Sequence, residues 1–276
     1  MKKYCYFNGK IIESEKVGIP LNDIGVIRGI SMFDYLRTYN GKPFRLKDYC
    51  NRFNKAAKKI GLDFHLTEKE ISSILDALLK KNKLKDCAFR FVLTGGKSSD
   101  CFSIEGHENF YILAEDLPYT EPSFYKTGGK LITSDYQRQF ADIKSSFYLH
   151  ASKMQGKKIR AKAQEVLYHH KGLILECSKS NIFIVKNNKI VTPNENILYG
   201  VTRKSAIEIA KKNKIKVEER AVKLRELWGA DEVFITSSGT AKILPIVKID
   251  NRKIGDGKVG PISKLIVQKF EEMTNQ

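Results

Sequence analysis

Apolar positions recur along this chain at two spacings, and the switches between them mark out its elements. Residues 4–17 alternate apolar and polar around an Asn8-Gly9 turn signal and resume at Ile11-Ile12, which predicts a β-hairpin. Residues 30–39 mix aromatic and β-branched side chains and close on a second turn, Asn40-Gly41-Lys42-Pro43. The spacing then becomes three and four. Leu46, Tyr49, Phe53, Ala56, Ala57 and Ile60 predict a helix over 46–60 that stops at Gly61. A second helix is predicted over 67–82, where Thr67 and Glu70 have capping-box spacing and Ile71, Ile74, Leu75, Leu78 and Leu79 form the apolar stripe. Residues 88–94 and 110–114 read as strands around the Gly95-Gly96 loop, so this first part is α+β.

Periodicity fails over 118–128, where Pro118, Pro122 and Gly128 cluster. That run is the expected linker between a small α+β domain at 1–117 and a larger mixed α/β domain at 129–276. In the second part, strand patterns at 131–134, 173–176, 181–185 and 233–236 alternate with helical ones at 151–168 and 203–213.

Composition narrows the class. The 276 residues, 42% apolar and 29% charged, suffice for two cores of ordinary size. No apolar run approaches the ~18–20 residues that cross a bilayer. The basic start, Met1-Lys2-Lys3, lacks the apolar stretch of a secretory signal. A cytoplasmic protein with no membrane role is expected. Five cysteines are scattered without a C-x-x-C pair, and five histidines form no H-E-x-x-H, so neither a disulfide framework nor a metal site is expected. The net charge of +18 raises nucleic-acid binding as an alternative. The lysines, however, spread over helical faces as solvated charge, and no helix-turn-helix, zinc knuckle or aromatic RNP run accompanies them.

One stretch is far more specific. Glu176, Asn181 and Phe183 stand in the spacing E-x-x-x-x-N-x-F, followed by Thr192-Pro193, Gly200-Val201-Thr202-Arg203 and Asp231-Glu232-Val233-Phe234. In this order the chain resembles the fold-type IV pyridoxal-phosphate enzymes, or class IV aminotransferases. That family includes D-amino-acid and branched-chain aminotransferases and aminodeoxychorismate lyases. The resemblance runs from Tyr6-Phe7-Asn8-Gly9 to Gly255-Asp256-Gly257-Lys258, nearly the whole chain. It implies a small α+β domain and a larger mixed α/β domain, pyridoxal 5'-phosphate as cofactor, and a homodimer.

The cofactor's chemistry needs an amine, an acid facing its ring nitrogen and a clamp for its phosphate. By resemblance the amine is Lys144, which would carry the Schiff base and act as catalytic base. On residue type alone, a lysine in so basic a chain is a surface residue. Glu176 is implied as the acid, against the plainer reading of a solvent-facing strand end. Phosphate contacts are implied for Val201 and Thr202 at a helix N-terminus, where backbone N–H groups lack partners, and for Thr240 and Arg52. Helix capping alone also accounts for Thr202, and an exposed helix position for Arg52. Tyr148 resembles the tyrosine that meets the ring's phenolic oxygen in some members.

Substrate carboxylates call for guanidinium forks. Arg28 and Arg90 are the substrate-binding candidates, with Arg37 a third. Arg90 alternates with Phe89 and Phe91, so it faces opposite to them, toward a pocket or water. The loop 94–100 lacks the Arg-x-His trap typical of D-amino-acid aminotransferases. The branched-chain signature Phe-Glu-Gly-[IL]-Arg becomes Phe33-Asp34-Tyr35-Leu36-Arg37. The arginine pair with Leu93-Thr94-Gly95-Gly96 is similar to a noncanonical D-amino-acid aminotransferase group. The expected activity is transfer of an amino group between an amino acid, D favoured, and a 2-oxo acid such as 2-oxoglutarate. Branched-chain L-amino-acid transfer and aminodeoxychorismate lyase are the alternatives.

Overall fold

Asn8 and Gly9 both take positive φ, 42° and 90°, the backbone of a tight two-residue hairpin turn. They fold β1 (Tyr4–Phe7) back onto β2 (Lys10–Glu13). The structure, a computed structural model, describes residues 1–239 and 242–275. The chain divides into two compact units, Met1–Pro118 with Ile143–Phe147, and Tyr119–Asp142 with Tyr148–Gln276.

In the first unit the chain continues through α1 (Ile24–Ile27), β3 (Ser31–Tyr39), β4 (Lys42–Pro43), α2 (Leu46–Lys59), α3 (Glu68–Lys81), β5 (Ala88–Thr94) and β6 (Asn109–Glu115). Among the described residues the six strands form one antiparallel sheet, ordered β2-β1-β6-β5-β3-β4. Thr67 accepts from the Glu70 backbone and Glu70 answers to Thr67, so α3 opens on the capping box its sequence spells. Phe53 of α2 packs edge-on against Phe91 and Phe110. Leu36, Phe89 and Ile112 are buried with them. Strand alternation therefore sends Phe33, Tyr35, Arg37 and Arg90 to the opposite, half-buried face. The segment Ile143–Phe147 joins this sheet's edge. Phe33 N–H donates to the Lys144 carbonyl at 2.9 Å, and Ser146 N–H to the Ser31 carbonyl at 3.1 Å.

The second unit runs α4 (Ser123–Thr127), β7 (Gly129–Asp135), α5 (Leu149–Lys153), α6 (Gln155–Arg160), β8 (Glu165–His170), β9 (Leu173–Cys177), β10 (Asn181–Lys186) and β11 (Lys189–Thr192). Then come α7 (Val201–Lys212), β12 (Val217–Glu219), β13 (Val222–Lys223), α8 (Leu224–Trp228), β14 (Glu232–Thr236), β15 (Ile243–Ile249), β16 (Arg252–Lys253) and α9 (Pro261–Thr274). Among the described residues the sheet has ten strands, ordered β12-β11-β10-β14-β15-β7-β8-β9-β13, with β16 beside β15. Three pairings are parallel: β7 with β8, β15 with β7, and β11 with β12.

One expectation is corrected here. Helical periodicity predicted a single helix over 151–168, yet the helices end at Arg160 and β8 takes Val166, Leu167 and Tyr168 into the sheet. All three side chains are buried in a sheet-interior strand, where β-branched Val166 and aromatic Tyr168 favour extended backbone whatever the apolar spacing. One face of this sheet buries Leu131, Leu167, Ile184, Val233, Ile235 and Ile246. Phe183 and Phe234 stack with ring centroids 4.7 Å apart. The Asp-Glu-x-Phe motif has a structural use as well. Glu232 accepts from the Ile262 and Ser263 backbone N–H groups at 3.0 and 2.7 Å, capping the start of α9 from another element.

Candidate active site

In the second unit, Glu176 stands near the end of β9 with its side chain 6% exposed. A carboxylate so placed needs compensation for lost water. Arg138 supplies it by donating from Nε to Oε1 at 2.7 Å, while the Leu198 backbone N–H donates to Oε2 at 2.9 Å. The guanidinium is itself 9% exposed and also donates to the Ala141 carbonyl. Burial works against the Arg138 charge, but the Glu176 carboxylate outweighs it and holds the guanidinium more firmly protonated than an ordinary arginine.

Leu198 links this carboxylate to the helix that follows. Asn181 Nδ2 donates to the Leu198 carbonyl at 2.7 Å. A Cβ at Gly200 would collide with Asn181 Oδ1. The Asn181 and Gly200 motif positions are thus one contact, and it fixes where α7 begins. The helix starts at Val201, two residues earlier than its periodicity suggested, and its N-cap Gly200 offers no side-chain hydrogen bond. Thr202 consequently lies in the first turn, and its Oγ1 is 3.3 Å from Ser238 Oγ. Tyr148 immediately precedes α5 and interacts electrostatically with Arg138. Thr240 lies outside the described residues.

The first unit holds Lys144, Arg52, Arg28 and Arg90. Lys144 Nζ lies 4.6 Å from the centroid of the Phe33 ring, and the Arg90 guanidinium lies 5.4 Å from the same centroid. Arg90 also lies 5.1 Å from the Tyr35 ring and grips Glu115 with two donors, Nε at 2.6 Å and Nη2 at 3.0 Å. Burial, with the charge of Glu115, pushes the Tyr35 hydroxyl up to about 12. Arg37 lies over Tyr39 at 4.6 Å with its Nε buried and unpaired. Arg28 is exposed, donating to the Cys101 carbonyl at 3.1 Å. Arg52 is inside rather than on the solvent face of its helix. It grips the buried Asp34 at 2.9 and 2.6 Å; burial disfavours its charge, and the Asp34 carboxylate more than restores its hold on the proton.

Sequence reasoning missed three of these residues: Arg138, Asp34 and Glu115. Each acts on an expected site residue from a different strand or turn, so no local spacing exposes it. Arg138 had one available signal, an arginine six positions before Lys144 in a stretch without helical periodicity.

The second unit's pieces fit pyridoxal phosphate. A buried carboxylate paired with a guanidinium suits a ring nitrogen, and a helix start whose glycine N-cap has no side chain, with hydroxyls beside it, suits a dianion. The fold and this donor set define a class IV transaminase. The chain belongs to the amino-transferase class IV family, whose model matches residues 31–249. It is 33% identical over 262 residues to a D-alanine aminotransferase of Bacillus licheniformis, covering 94% of this chain and 92% of that one. It is 32% identical over 278 residues to a putative branched-chain-amino-acid aminotransferase of Methanocaldococcus jannaschii, covering 97% and 95%. Among solved structures, a T.th. branched-chain amino acid aminotransferase with pyridoxamine 5'-phosphate superposes with a TM-score of 0.91 at 24% identity, covering 100% of this chain and 95% of that one. The protein is a pyridoxal-phosphate-dependent transaminase of fold type IV acting on small amino and 2-oxo acids. Among the described residues no helix is long and apolar enough to cross a membrane, and no cluster of potential metal ligands occurs.

Proposed function

We propose that this transaminase moves an amino group from a D-amino acid to a 2-oxo acid such as 2-oxoglutarate. When bound, pyridoxal phosphate supplies an electron sink for the pair left at the substrate's α-carbon. Glu176 accepts the hydrogen bond of the ring nitrogen. Val201 and Thr202 offer α7's first-turn N–H groups and a hydroxyl to the phosphate, with Arg52 and Thr240 completing the clamp. Tyr148 meets the phenolic oxygen. Lys144 holds the cofactor and afterwards takes the substrate's α-hydrogen on Nζ as a proton. Arg28 and Arg90 bind the carboxylate, and the protein works as a homodimer.

The observation that carries this reading is the shared ring: the amine of Lys144 and the guanidinium of Arg90 both lie over Phe33. A substrate anchored by its carboxylate on Arg90 is brought beside the base, and the geometry of anchor and base selects one α-hydrogen. Tyr35 supports the D-amino-acid reading. It stands where the branched-chain signature has glycine, and its ring lies on the sheet face it shares with Phe33 and Arg90. A branched-chain L-amino-acid aminotransferase is the second reading, favoured by likeness to the Methanocaldococcus jannaschii protein.

Half-reactions separate them. The holoprotein is mixed singly with D-alanine, D-glutamate, L-leucine and L-glutamate, and the absorption band of the lysine-bound cofactor is followed. Bleaching by the D-amino acids alone is expected. Bleaching by L-leucine and L-glutamate instead would establish the branched-chain reading.

A further inference from the structure

A buried carboxylate that must accept one hydrogen bond in one direction needs a counter-charge and a fixed rotamer. Both come to Glu176 from the same side chain. We propose that Arg138 is a positioning residue of this transaminase, holding Glu176 ionised and aimed at the cofactor's ring nitrogen without itself touching the cofactor. The proposal rests on the role given to Glu176 above.

The geometry has three parts. Arg138 Nε occupies Oε1 and the Leu198 N–H occupies Oε2, so the carboxylate is gripped at both oxygens and cannot turn without losing a charge-assisted bond. Both partners of the ion pair are nearly sealed from water, which keeps their attraction unscreened. Arg138 also donates from Nη2 to the Ala141 carbonyl, in the turn that precedes the Lys144 segment in sequence. The planar fork therefore reaches two acceptors at a fixed angle. A lysine ammonium offers the charge but not the span.

The test is a double-mutant cycle on the full chain, read as cofactor affinity. Apoprotein of wild type, R138M, R138K, E176Q and E176Q/R138M is titrated with pyridoxal phosphate by fluorescence, and the pH dependence of the bound cofactor's band is recorded. R138M is expected to weaken affinity on the order of tenfold or more, the cost of removing a hydrogen bond to a buried charge. R138K should recover part of that loss. In the E176Q background, R138M should change affinity by less than about twofold, because its partner is already neutral. The band's pH profile should move in R138M and R138K but not between E176Q and E176Q/R138M. Should R138M fail to fold, R138K in the two backgrounds completes the same cycle.

Equal losses from the arginine change in both backgrounds would mean a merely structural role and overturn the proposal. Wild-type affinity in R138M beside weakened E176Q would overturn it alone. Wild-type affinity in E176Q would remove the Glu176 assignment, and this proposal with it.

Discussion

Glu165, at the start of β8, shows how a single buried acid can set a protein's response to pH. Burial raises its pKa, while the Ser178 hydroxyl, which donates to Oε2, Lys179, Lys158 and the Ser180 hydroxyl at 3.3 Å pull the other way. Because the folded value exceeds the unfolded one, this carboxyl's favourable contribution is complete below about pH 4, the ordinary range for glutamate. It is lost as pH rises through the folded value. E165Q keeps the shape and cannot ionise, so it should gain on wild type between pH 5 and pH 8, by roughly 2–4 °C of melting temperature for each kcal/mol. A melting difference that stays constant over that interval would contradict the assignment. Among the described residues the cysteines are all free, and four of them are buried.

At the scale of elements, the motifs turn out to be contacts. Asn181 on β10 and Gly200 before α7 lie nineteen positions apart, yet one packs its amide against the other's Cα and holds the Leu198 carbonyl. Gly200 has an ordinary φ of −65°, so its lack of a side chain is needed for space and not for backbone freedom. Gly200→Ala should therefore displace the first turn of α7 and weaken cofactor binding by roughly five- to 150-fold, on the order-of-magnitude cost of core overpacking, about 1–3 kcal/mol. Equilibrium dialysis against pyridoxal phosphate checks this, and unchanged affinity would detach the turn from the cofactor. Hairpins, capped helices and the motif strands were legible because their signals are local: Asn8-Gly9, Thr67 with Glu70, the stripe of α3. The 165–168 stretch was not, since a helical apolar spacing and a buried strand share the same residues. The strands on either side, β7 and β9, decide between them.

For the whole molecule, the candidate site residues are divided between the two units. The second unit carries Glu176, the start of α7 and Arg138; the first carries Lys144, Phe33 and the paired Arg90 and Glu115. The candidate residues were named from spacing and resemblance. Their partners were not, because Asp34 for Arg52, Glu115 for Arg90 and Arg138 for Glu176 are brought together by sheet register and turns. The most direct test of the account is where the cofactor attaches. Holoprotein reduced with borohydride and digested should yield the phosphopyridoxyl group on the peptide containing Lys144, with Lys144→Ala giving none. The group on another of the chain's lysines, or on no peptide after saturation with cofactor, would contradict it.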